Sequence, residues 1–392
     1  MKKNETTPEV KPEQKKSLKK TLLPLLGVLP MMLLGAFVGG WGMSALLAGT
    51  EDLPFSALML RMALLMVCFF GGLLLQFILH EGGHLVGGLL SGYGFVSFNI
   101  MGLVISRDGQ GRFRLSRMQV AGVGGQCLMS PPPMKDGCFP FTLYNMGGVT
   151  SNVLFSTLFL LLGLNAAAPE AHTALVCIAV TGYMLALLNG LPLPVEAVQN
   201  DTSNQLCLMK SEPARQALWV QMSLAAAQAK GLRLKEMPEE WFALPDERDM
   251  DNPLVGSIAV FRANRLVDQL NFAEARTLIT RLLQRRKGIL PLYQMLLAAD
   301  GTVCELLEGG AGSLTKRFLT RENQKLADAM KTSITILRTR YALSLLHDQD
   351  PLAAQKHLEA FEKAARHYPH PQDVAAEREI LDCIRAAERP QA

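Results

Sequence analysis

His80-Glu81-Gly82-Gly83-His84 closes a long apolar run that begins near Ser56. On a helix, side chains four apart lie one above the other, so His80 and His84 can converge on a single cation. Glu81 then falls beside that cation without ligating it. Two neutral nitrogen ligands, an open position for water and a carboxylate to take a proton are what a zinc hydrolase requires. Paired helical histidines are otherwise ordinary core residues. The apolar setting argues against that here, because ionisable side chains at membrane depth are costly and mark function.

The composition divides the chain around this motif. Of 392 residues, 49% are hydrophobic and 19% charged, too apolar for an ordinary soluble protein and too charged for one wholly buried in lipid. Long apolar runs dominate up to about residue 198. From Asn200 onward the sequence is rich in Ala, Leu, Glu, Lys, Arg and Gln, the composition of soluble helices. The expected fold is therefore mainly α: a polytopic membrane protein with four transmembrane helices, a small β-like hairpin insertion and a C-terminal cytosolic helical domain. The net charge of +4 comes without a basic stripe interleaved with aromatics, which excludes nucleic acid as a partner. The seven cysteines are scattered, with no metal-type CxxC spacing, and read as reduced or buried.

Taken in order, residues 1–20 carry seven lysines among Glu, Pro and Thr, read as a disordered basic segment that holds its end in the cytoplasm. Residues 21–49 form the expected first span, a retained helix rather than a cleaved signal peptide. Ser56 to about Ser91 is the second span and brings the HEGGH block to its inner third. Residues 95–106 contain two short β-like runs broken by Gly102. With Arg107, Arg112, Arg114, Arg117 and Lys135 around them, they read as a basic hairpin or re-entrant element on the cytoplasmic face, or as a plain connecting loop. The third span covers about 141–167 and carries Asn152, an amide at a depth where it needs a partner. The fourth covers about 173–191 and ends at Pro192 and Pro194, beyond which Glu196 or Asp201 can supply the third, carboxylate ligand that a two-histidine zinc site lacks.

Three blocks, in order, resemble the site-2 protease family of intramembrane zinc metalloproteases. HEGGH at 80–84 is similar to the family's HExxH; Gly147-Gly148-Val149-Thr150-Ser151-Asn152 to its small-residue stretch ending in asparagine; and Asn189-Gly190-Leu191-Pro192 to its Asn-x-x-Pro. The resemblance covers about 56–205. It departs after Pro192, where Ala197 holds the position of the family's aspartate; Asn200-Asp201 then resembles the Asn-Asp pair of members with a longer insertion, which favours Asp201 over Glu196. It implies Zn2+ held by His80, His84 and Asp201, Glu81 as general base, and Asn152 holding the substrate backbone or the oxyanion. The substrate would be a membrane-embedded protein or peptide precursor, unwound locally and captured in extended form on a strand edge of residues 95–106.

Residues 206–392 contain repeated amphipathic helical stretches. Leu266 to Leu283 and Tyr341 to Ala364 each read as helix, tight turn, helix, similar to tetratricopeptide hairpins. They form a docking surface for a cytosolic protein partner or an all-helical cap. Gln294 to Gly312, with its Gly309-Gly310-Ala311-Gly312 cluster, reads as a loop between helical blocks, and His347, His357, His367 and His370 read as surface residues. The whole reads as an integral protein of a bacterial cell membrane with both termini cytoplasmic. A rival reading is a non-catalytic membrane scaffold whose tail recruits partners.

Overall fold

The computed structural model describes residues 40, 54–107, 111–117, 125–192 and 200–388. The expected first span apart from residue 40, the basic segment before it and Glu196 lie outside these residues. Among the described residues three helices are long and apolar enough to cross a membrane: α1 (Phe55–Leu90), α2 (Thr142–Leu164) and α3 (Pro169–Gly190). At 1.5 Å per residue the 36 residues of α1 run to about 54 Å, well beyond a hydrocarbon core of about 30 Å. The chain divides into two compact units. One comprises Met1–Leu73 and Val153–Ser203, the other Leu74–Asn152 and Asn204–Ala392.

In the first unit, the second half of α2 and α3 form an antiparallel hairpin. Close approach is possible because Gly163 presents no side chain to Leu175 and Val176. The His172 ring bonds the Gly163 carbonyl (2.9 Å), and Thr157 meets the Tyr183 hydroxyl (2.8 Å), satisfying polar groups that lipid would leave bare. Gly72 of α1 faces Ile178 and Thr181 of α3 in the same way. Beyond α3, Asn200 donates to the carbonyls of Leu188 and Leu191 and accepts from the Ser203 amide. It thereby caps α4 (Asp201–Lys210) at its N-terminus.

In the second unit, a four-stranded antiparallel sheet follows α1: β1 (Gly94–Ile100), β2 (Leu103–Arg107), β3 (Phe113–Arg117) and β4 (Gly125–Ser130), in the order β3-β2-β1-β4. The expected hairpin of residues 95–106 is thus the middle of a larger sheet. Both its strands are paired on both sides, so the end strands are β3 and β4, and a strand edge for capture cannot come from 95–106.

From α5 (Glu212–Ala229) onward the unit is helical: α6 (Pro253–Asp268), α7 (Phe272–Gln284), α8 (Pro291–Leu307), α9 (Ser313–Phe318), α10 (Arg321–Ala329), α11 (Ile334–Ala342), α12 (Pro351–Ala365) and α13 (Pro371–Glu388). Two of the tight turns share one device. Leu270 and Gln349 each take a left-handed backbone (φ 59° and 53°), and the next residue, Asn271 or Asp350, caps the following helix. Residues 294–307 belong to α8, so the loop expected there is confined to the glycine cluster at 309–312. His357 and His370 are half-buried rather than at the surface, whereas His347 and His367 are exposed. All seven cysteines are free thiols.

This helical core holds buried charge. Arg338 is fully buried and ion-paired with Asp300 and Glu377; Arg233 pairs with Asp268 and Glu379. Asp373 lies nearby, and burial, then the carboxylates of Glu377 and Asp268, push its carboxyl up to about 6. Ionising it therefore costs folding free energy at neutral pH, a cost that fades as pH falls through 6 towards the unfolded value near 4. Asp373→Asn should accordingly stabilise the protein at pH 7.5 by up to about 2 kcal/mol, with the advantage shrinking by pH 4.5. Thermal unfolding of both forms across that range checks it; a gap that widens in acid would contradict the assignment.

Candidate metal centre

The site is built where the second half of α1 crosses the first half of α2, within the second unit. The crossing is close because glycines meet backbone. A Cβ on Gly83 would lie 2.2 Å from the Gly147 carbonyl oxygen, and one on Gly147 would lie 2.2 Å from the Gly83 oxygen. One turn on, a Cβ on Gly87 would strike the Leu143 carbonyl at 2.1 Å. The Ser151 hydroxyl donates to the Leu79 carbonyl (2.7 Å), fixing the rotation of the two helices.

Gly148 has a different task. A Cβ there would stand 2.5 Å from His80 Cε1 and 2.6 Å from Nε2 of both His80 and His84. Its missing side chain is the space the two imidazoles occupy. Their Nε2 atoms are 3.2 Å apart, both buried or nearly so.

The other ring nitrogens set the tautomers. His84 Nδ1 lies 2.7 Å from the Tyr144 carbonyl oxygen, which can only accept, so this nitrogen carries hydrogen. Asn152 Nδ2 donates to both the carbonyl and the side-chain oxygen of Gln76 (2.9 Å each), which orients the amide and aims its Oδ1 at His80 Nδ1, 2.6 Å away. His80 Nδ1 therefore also donates. In the neutral rings both Nε2 atoms are then lone-pair donors turned to one point. Nitrogens about 2.0–2.1 Å from a tetrahedral zinc stand roughly 3.3 Å apart, which the observed separation fits. Neutral imidazoles with Nδ1–H held by an amide or carbonyl oxygen are the usual state of metal-bound histidine.

Glu81 is buried, and its carboxylate rests against the backbone of Gly125 at the start of β4; a Cβ at 125 would lie 2.8 Å from Oε1. Burial, and secondarily Glu81 itself, push the neighbouring Cys127 thiol up to about 12, so it stays protonated and offers no competing thiolate ligand. The Cys127 carbonyl accepts from the Tyr144 hydroxyl (2.8 Å), tying β4 to the helix whose Tyr144 carbonyl holds His84.

A second cluster steadies α4. Asn145 on α2 donates to Gln205 and accepts from Asn204, and Gln205 donates to Thr142 (3.3, 2.9 and 3.0 Å). Asp201 lies one turn before Gln205, in the first turn of that helix. His80 and His84 belong to the second unit and Asp201 to the first, and each offers one atom that can ligate a metal ion.

Several working residues were not singled out from sequence. Gln76, which orients Asn152, left a signal: it is the one amide in the apolar stretch from Phe55 to Leu79. The Tyr144 carbonyl, Gly125 and the Asn145–Gln205 clamp left none, since each depends on contacts made across the fold. No family model matches the chain, and no curated protein or solved structure does so either.

These contacts set a matched pair of tests by zinc titration of purified protein. Gly148→Ala and Asn152→Ala should each weaken zinc binding by roughly ten- to a hundred-fold. Gly82→Ala, at a position with nothing within 4 Å of a new Cβ, should leave it unchanged. Equal affinities in all three would remove the metal reading of the cleft.

Proposed function

We propose that this chain is an intramembrane zinc metalloprotease that cuts peptide bonds in or near the membrane-spanning segment of a small protein or peptide precursor. The observation that carries the reading is the histidine pair: two Nε2 atoms 3.2 Å apart, both forced by acceptors at Nδ1 to present lone pairs, beside a buried carboxylate in an apolar helix. His80, His84 and Asp201 would hold the zinc. Asp201 is favoured for the third place because it opens a helix whose next turn is clamped to α2 through Asn145. Bound there, zinc supplies Lewis acidity that lowers the pKa of water and polarises a carbonyl.

The chain's own residues do the rest. Glu81, adjacent in sequence to His80, takes the proton of the attacking water and returns it to the leaving amine. Gly125 sets where that carboxylate stands. Asn152 acts as a positioning residue for His80, its amide already engaged by Gln76 and the imidazole. β4 is an end strand of the sheet beside Glu81, and a locally unwound substrate could add to it as a further strand. The membrane would be that of a bacterial cell, with both termini cytoplasmic, and the helices beyond 206 a tetratricopeptide-like surface for a cytosolic partner.

Zinc content and cleavage of a reconstituted transmembrane substrate, measured side by side, test this. Wild type should hold about one zinc. Glu81→Gln should keep it while cleavage falls by at least about a hundred-fold; Asp201→Asn should lose metal and cleavage together, and Glu196→Gln neither. A wild type that takes up no zinc would favour a non-catalytic scaffold instead.

A further inference from the structure

One face of the sheet is covered across only half its width. The register places Cys127, Phe98, Ile105 and Leu115 in one row, and Gly125, Ile100, Leu103 and Arg117 in the next row on the same face. Phe113 and Arg107 pair in a third such row. Over β4 and β1 this face is closed: Cys127 and Met129 are buried with Tyr93, Phe139 and Met222, and Gly88 of α1 sits against Met129.

Over β2 and β3 the same face is bare. Phe113 and Leu115 are 70% and 69% exposed, and Leu103, Ile105 and the turn residue Met101 are exposed with them. Five large apolar side chains on so short a hairpin are more than a water-facing surface ordinarily carries. The surface is also cationic. Arg107 and Arg117 share this face at opposite ends of the hairpin, and Arg112 and Arg114 lie on β3 or just before it.

What the hairpin faces follows from where it is attached. β1 starts four residues after the end of α1, a helix apolar enough to cross a membrane, and Val86, Leu89 and Leu90 in its last turns are exposed as well. A helix about 54 Å long delivers that end to the headgroup region.

We propose that the β2–β3 hairpin is a lipid-docking surface. Met101, Leu103, Ile105, Phe113 and Leu115 enter the acyl boundary while Arg107 and Arg117 bind phosphates of anionic phospholipid. Apolar burial and attraction to anionic headgroups act together at such surfaces. A second copy docked on this face by a two-fold axis would instead set the same arginines against each other. The docking holds the sheet, and with it Gly125 beside Glu81, at a fixed depth.

The test uses the full chain reconstituted in vesicles of phosphatidylcholine, with or without phosphatidylglycerol. A photoreactive benzoyl-phenylalanine replaces Leu115, or in a second variant Leu103, with Leu154 of α2 as a lipid-facing control. Irradiation should give adducts of phospholipid mass at both hairpin positions, enriched roughly five-fold or more by phosphatidylglycerol. That enrichment should vanish in the Arg107→Gln/Arg117→Gln double variant. Crosslinks to a second chain, or no lipid adduct at either position while Leu154 gives one, would overturn the proposal. Equal yields in the two vesicle types would overturn its anionic part.

Discussion

Everything at the candidate metal centre depends on how near α1 and α2 can come. Helices in lipid gain little from the hydrophobic effect, so they associate through close packing and interhelical hydrogen bonds. Gly83 and Gly147 supply the packing by giving each other's carbonyl the room a Cβ would take. Ser151 and Asn152 supply the bonds, to Leu79, Gln76 and His80. Were the helices held further apart, the Asn152 amide could not reach the His80 ring, and the tautomer that turns its Nε2 lone pair towards His84 would have no support.

The sheet and α4 build on that crossing. β4 places the Gly125 backbone against the Glu81 carboxylate and is itself tied to α2 through the Tyr144 hydroxyl. α4 is tied to the same helix by the Asn145 cluster. One helix thus orients both imidazoles, steadies the strand beside the carboxylate and holds the turn after Asp201. The conformational freedom of each group is spent on buried bonds rather than on exposed ones.

How much of this could be read from sequence follows from the range of each interaction. The HEGGH block and the apolar helices α1–α3 were legible, because ligand spacing and hydropathy are local. The stretch Gly147 to Asn152 was legible as a pattern, but not the division of labour within it: Gly147 for helix approach, Gly148 for imidazole space, Asn152 for His80. The strands at 94–107 carried β-like runs, whereas β4, Gly125–Ser130, shows no alternation and exists by pairing with β1. That long-range pairing puts the free edge on β4 rather than on the strands of 95–106. In the helical region the two tight turns were visible, but the ion pairs of Arg338 and Arg233 join residues up to 146 apart and left no local trace.

His80 and Asn152 are 72 residues apart, which has a consequence for biogenesis. During synthesis α1 is complete before the amide that orients its first histidine has been made. Its leading stretch, Phe55 to Leu75, has Arg61 as its sole formal charge and is long enough to span alone. Gln76, His80, Glu81 and His84 all follow it. Insertion and site assembly are therefore separate events encoded in successive parts of one helix: the apolar part commits to the bilayer first, and the polar part waits for the arrival of α2.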